Sequence, residues 1–193
     1  MSAIRRVLNG AALLALAQTA TAGDLAAPAL PPDLRVPQGH ELYLAGHAIG
    51  TQDYVCLPST KGIGWSLFTP QATLFGRNDR QVMTHYFSPD PEDNDTLRAT
   101  WQDSDSSMAW ARVVKPSTDP AYVQAGAIPW VLLEVVGARK TSDGETVADA
   151  TFVQRVRTTG GAAPSAGCAS SADVGRTAAV PYTADYLFYR RRA

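Results

Sequence analysis

Short runs in which apolar and polar residues alternate recur along most of this chain, and no stretch repeats at the helical period of 3.6 residues. The runs are rich in β-branched and aromatic side chains and are separated by Gly, Pro, Asn, Asp and Ser. Successive side chains of a strand point to opposite faces, so each such run can bury one face and wet the other. Ten segments fit this description: 41–48, 51–57, 63–67, 72–75, 81–87, 97–101, 108–114, 128–136, 147–157 and 182–190. With no helix among them, they predict an all-β chain folded as one antiparallel β-sandwich or closed β-barrel of about ten short strands. Periodicity does not choose between these two. A short helix or turn is placed within 119–127 or 169–176.

The clearest hairpin joins 128–136 to 147–157 around Asp143-Gly144, a pair that favours a tight type I′ turn. If those two residues are the loop, Val131, Leu133 and Val135 share a core face with Ala148, Ala150, Phe152 and Val156. The other face then carries Trp130, Leu132, Glu134, Val153 and Arg155. On that register Glu134 lies diagonal to Arg155, and its partly covered carboxylate pairs with the guanidinium.

Residues 1–22 read as an export signal: Arg5-Arg6, an Ala/Leu-rich apolar stretch from Val7 to Ala17, then small residues at Ala20 and Ala22. Ile4 and Asn9 fit a twin-arginine signal poorly. The apolar stretch falls short of the roughly 20 residues a spanning helix needs, so no integral membrane segment is expected after cleavage near Ala22-Gly23. A secreted or periplasmic product follows, with a Pro-rich extended lead-in over 23–39 and a β-rich domain over 40–193. Without the signal the chain has 15 basic and 18 acidic side chains. That balance excludes nucleic acid as the main partner, because neutralising phosphates needs a surplus of Lys and Arg. Cys56 and Cys168 are the only two cysteines. In an oxidising compartment an even pair most simply forms one disulfide, and neither a CxxC spacing nor a neighbouring His favours redox or metal chemistry.

Four blocks resemble a known family in their order and spacing: GTQDYVC at 50–56, THYF at 84–87, TFVQRVRTTGG at 151–161 running on through Ala163-Pro164 to Cys168, and VPYTADYLFY at 180–189. Together they resemble the secreted bacterial and fungal proteins known as domain of unknown function 3455, over about residues 40–190. The resemblance implies a secreted β-rich domain with a motif cysteine at both 56 and 168. It implies no activity. Some fungal relatives carry a malate dehydrogenase label, but this chain has no GxGxxG between a strand and a helix and no βαβ alternation.

Candidate chemistry is sparse. His40, His47 and His85 are the only histidines, and no ligand spacing among them suggests a metal or other cofactor. There is no GxSxG elbow. The acids of 90–95 lack the spacing and Gly of a calcium loop. His85 with Glu134 is the only acid/base pair worth naming for a small secreted hydrolase or isomerase. The reading favoured over it is non-catalytic: a rigid β-scaffold binding a small amphiphilic or carbohydrate ligand, or an envelope or surface component. Trp130, Glu134, Arg155, His85 and Tyr86 are the expected contacts. A structural or adhesion protein would instead show an exposed apolar patch and no pocket. No oligomeric state follows from the sequence.

Overall fold

A computed structural model describes residues 26–193, apart from Asp143, Glu145 and the side chain of Arg77. The expected signal segment, the first residues of the lead-in and Asp143 of the expected turn lie outside the described residues. Eight strands follow in chain order: β1 (His40–Ser59), β2 (Gly62–Phe75), β3 (Gln81–Asp90), β4 (Thr96–Asp103), β5 (Met108–Ser117), β6 (Trp130–Arg139), β7 (Phe152–Gly160) and β8 (Thr177–Arg191). Each pairs antiparallel with its neighbours in sequence, and β8 returns to pair with β1, so the sheet closes as a barrel. Closure leaves no long unpaired edge strand. The only helical turns in the described residues are three short 3-10 turns, at Pro32–Leu34, Arg77–Asp79 and Ser171–Asp173.

Eight strands stand where ten were expected because two apparent breaks lie within strands. Gly50 does not turn the chain. A Cβ at this position would lie 2.0 Å from the Gln71 carbonyl oxygen and 2.6 Å from the Ala72 Cα, so glycine is required where β1 and β2 press together. Pro70 sits within β2 opposite Gln52. There the ladder between β2 and β3 ends: it runs from Phe75–Gln81 only as far as Ala72–His85. Proline has no N–H to extend it, and the Phe87 amide donates instead to the Thr69 hydroxyl at 2.9 Å. The seam between these two strands is therefore open near Pro70 and Phe87.

The interior is filled by the inward face of every strand, including Leu74, Met83, Trp101, Val153, Tyr186 and Phe188. Each large apolar side chain removed from water contributes about 1.5–3 kcal/mol. One end of the barrel is plugged. The connection between β6 and β7, residues 140–151, turns inward and places Val147 and Ala150 in the core cluster. Its backbone is held by Ser107 Oγ, which accepts from the Val147 amide, and by the Asp105 carboxylate, which accepts from the Thr146 amide. The outside of β6–β8 is covered by the lead-in: Leu34 is fully buried against Trp130, Leu132, Val156 and Leu187. Gln154 Nε2 donates to the Leu34 carbonyl at 2.6 Å, and the Tyr189 hydroxyl donates to Gln154 Oε1 at 2.7 Å.

The plugging loop corrects the hairpin register. The expected turn falls inside a connection twelve residues long (140–151), in which Thr141 pairs with Gly144, so β6 and β7 are not joined by a two-residue loop. Gly144 is needed because a Cβ there would lie 2.1 Å from Asp105 Oδ2. The pairing is Val131–Arg155 and Leu133–Val153, one residue away from the expected register. A one-residue slip turns a whole strand over. Val153 and Arg155 consequently face the barrel interior, while Val156 packs outward under the lead-in.

Candidate functional site

The end opposite the plug carries the β1–β2, β3–β4, β5–β6 and β7–β8 connections. Two of these form a fixed rim. The Cys56–Cys168 disulfide ties β1 to the long β7–β8 connection. That tie is reinforced by the Cys56 amide donating to the Arg176 carbonyl at 2.8 Å and by Trp65 Nε1 donating to the Ala166 carbonyl at 3.0 Å. The Tyr54 hydroxyl donates to the Gly161 carbonyl at 2.6 Å, and the Thr158 hydroxyl donates to the Ile128 carbonyl at 2.7 Å.

Below this rim the packed interior gives way to a cavity of about 140 Å³. Its wall is mostly apolar: Leu67 and Val113, both partly open to solvent, with Phe87, Ala99, Val131 and Leu133. Trp101, Tyr186 and His85 form its aromatic side: the His85 ring stacks on Trp101 at 4.5 Å, with planes 9° apart, and lies 4.9 Å from Tyr186. The polar residues that line it are few, Gln52, His85, Arg155 and Tyr186, together with Trp101, whose buried indole N–H has no partner.

His85 is 3% exposed, and its Nδ1 donates to the Thr100 carbonyl at 2.8 Å. That bond fixes the tautomer with Nε2 as the acceptor. Burial pushes the imidazole pKa down to about 3; the Thr100 carbonyl opposes this and the Arg155 charge adds to it. The ring is therefore neutral at physiological pH. Arg155 enters from β7, and both its Nε and Nη2 donate to the Pro129 carbonyl, at 3.2 and 2.9 Å. Its positive charge acts on the interior tyrosines as well. Burial raises the pKa of Tyr54, Tyr182 and Tyr186, and the guanidinium opposes that rise at all three.

Of the five expected contacts, two meet here. Arg155 and His85 line the same cavity, whereas Trp130, Glu134 and Tyr86 lie outside the barrel wall. Trp130 is buried under the lead-in, with its ring 5.9 Å from that of Tyr122. The Tyr86 hydroxyl donates to Gln102 Oε1 at 3.0 Å. Glu134 is not the partner of Arg155: it faces Arg112 across β5–β6, with Arg112 Nη2 donating at 2.5 Å, and both side chains are largely exposed. The His85–Glu134 acid/base pair is thus separated by the barrel wall. His40 donates through Nδ1 to the Pro37 carbonyl, and His47 pairs with Asp185 on the outer face. Among the described residues no group of three His, Cys, Asp or Glu could hold a metal ion.

Gln52, Trp101 and Tyr186 line the cavity in addition to those expected contacts. Gln52 was nevertheless legible, because it alternates with Tyr54 and Cys56 in GTQDYVC and so shares their buried face. Residues 37–190 match a family described as a protein of unknown function (DUF3455). No curated protein and no solved structure is significantly similar to the chain. With most of the sequence covered by that match, from just before β1 to the penultimate residue of β8, the chain belongs to this family of proteins of unknown function.

Proposed function

We infer that this protein is a non-catalytic binder of a small amphiphilic molecule, one end of which enters the barrel through its open end. The observation that carries this reading is the mouth cavity itself, a mostly apolar hollow with a few polar groups set into it, inside a barrel that is otherwise packed. Ligand sites have this composition, with apolar walls for affinity and sparse polar groups for orientation. So few polar groups suit an amphiphile better than a sugar ring. A volume of about 140 Å³ is close to that of an apolar cavity known to hold one benzene molecule, near 150 Å³. The buried part of the ligand is therefore a ring or a short chain.

Enclosure of His85 and the absence of a carboxylate beside it weigh against acid/base catalysis at this site. The outer faces of the strands carry ion pairs such as Arg112–Glu134 and Arg157–Asp185. Those charges suit water better than the apolar band of a membrane barrel. Together with the disulfide and the signal expected over residues 1–22, they support a soluble protein working outside the cytosol.

Isothermal titration of the oxidised protein with benzoate, benzyl alcohol and glucose tests the reading. Saturable binding of an aromatic probe, weak or no binding of glucose, and loss of aromatic binding in a folded Ala99→Leu variant that fills the mouth are the expected results. Absence of saturable aromatic binding, or binding unchanged by Ala99→Leu, would overturn it.

A further inference from the structure

We propose that the mouth cavity is selective for a small organic anion, a monocarboxylate whose charged end meets Arg155 and Gln52 inside the barrel. The inference rests on reading the cavity as a ligand site and adds the charge of what it takes.

Two observations carry it. The first is a cation without a counter-ion. Arg155 projects into an apolar enclosure, and among the described residues no carboxylate pairs with it. Its Nε and Nη2 donate to one neutral backbone carbonyl, and the one side chain that bonds with it, the Tyr186 hydroxyl, is neutral too. That contact orients the guanidinium and leaves its charge uncompensated. The guanidinium is half-buried; a charge so far withdrawn from water favours a counter-ion, and a guanidinium presents a planar fork of donors that matches a carboxylate.

The second is an unsatisfied donor in the same cavity. Gln52 is 2% exposed and lines the wall, and its Nε2 has no hydrogen-bond partner. The Tyr182 hydroxyl lies near that amide but outside hydrogen-bond geometry with Nε2, and it contacts the Tyr186 hydroxyl at 3.4 Å. A cation and an idle amide donor, from strands β7 and β1, thus both ask for an acceptor. A carboxylate has two oxygens and answers both. An alcohol answers one without charge, and an ammonium repels Arg155. The apolar walls then take the rest of the molecule: Trp101 lies along one side, and Leu67, Phe87 and Val113 line the way out.

The test is isothermal titration of the oxidised full-length protein with three probes of one shape: benzoate, benzyl alcohol and benzylammonium. Benzoate is expected to bind roughly tenfold to a hundredfold more tightly than benzyl alcohol, the ratio appropriate to a hydrogen bond to a charged group. Benzylammonium is expected to bind least. In Arg155→Met benzoate should fall to the level of benzyl alcohol while benzyl alcohol itself is unchanged, and Arg155→Lys should restore part of the preference. Gln52→Glu serves as a second variant if Arg155→Met does not fold. It sets a carboxylate into the same cavity as the guanidinium and should abolish benzoate binding with Arg155 still present. Equal affinity for benzoate and benzyl alcohol in the native protein overturns the anion assignment but leaves the cavity reading standing. So does a benzoate preference that survives Arg155→Met or Gln52→Glu. Failure of all three probes to bind overturns the cavity reading itself.

Discussion

Acidification should destabilise this barrel through His85 before it affects most carboxylates, because the imidazole can remain where it is only while neutral. Desolvation sets its folded pKa at about 3, and in the unfolded chain the ring returns to about 6.5. A base whose pKa is depressed by folding binds more protons when unfolded. Its contribution is therefore fully present above about pH 6.5 and is lost as pH falls toward 3. At 1.36 kcal/mol per unit the whole shift is worth about 5 kcal/mol, and the step from pH 7 to pH 4 alone costs about 3 kcal/mol. For a domain of this size that corresponds to a fall of roughly 6–12 °C in Tm. Burial opposes the low pKa of Asp105, but hydrogen bonds from Ser107 and Thr146 prevail and hold it at about 2. Its contribution is lost only at lower pH, and equally in any His85 variant. The assay is urea unfolding at pH 7 and pH 4 for the native protein and His85→Gln, whose amide can still donate to the Thr100 carbonyl. His85→Gln should be the less stable at pH 7 yet lose about 3 kcal/mol less on acidification. Equal losses in the two proteins would refute the claim that this ring is enclosed and neutral.

Two further perturbations test the frame of the site. The disulfide spans 112 residues of sequence, so Cys56→Ser should lower stability by about 4–5 kcal/mol by the chain-entropy estimate, read as a fall in Tm of roughly 10–20 °C; an unchanged Tm would mean that the β7–β8 connection is not held to the rim by this bond. Gly50→Ala drives a Cβ into the Gln71 carbonyl and should cost about 1–3 kcal/mol or more in urea unfolding, whereas a glycine serving only as a flexible break would accept Ala at little cost.

The strand alternation made the all-β class legible, and Cys56 and Cys168 made the disulfide legible. What the sequence concealed was register. Asp143-Gly144 carries the composition of a tight turn, but Gly144 is there to admit the Asp105 carboxylate, and the chain around it plugs the barrel. Placing the turn at that dipeptide moved the pairing by one residue, and that single step put Arg155 on the outside beside Glu134. Gly50 and Pro70 misled in the same way. Both punctuate sequences as breaks, whereas here one permits close approach of two strands and the other opens the seam between β2 and β3. Trp130 and Tyr86 stand out in the sequence as aromatics in strands, a criterion blind to which face they occupy. His85 and Arg155 stand out as polar residues within apolar runs, and their convergence depends on closure of the barrel, which no local pattern encodes.

The most direct measurement is a crystal structure of the oxidised protein soaked in 4-bromobenzoate, in which the anomalous signal of bromine locates the probe. The account predicts one bromine site at the open end, near Leu67, Phe87 and Val113, with the carboxylate on Arg155 and within reach of Gln52 Nε2. Bromine found only on the outer wall, or a carboxylate pointing away from Arg155 with the ring innermost, would contradict it.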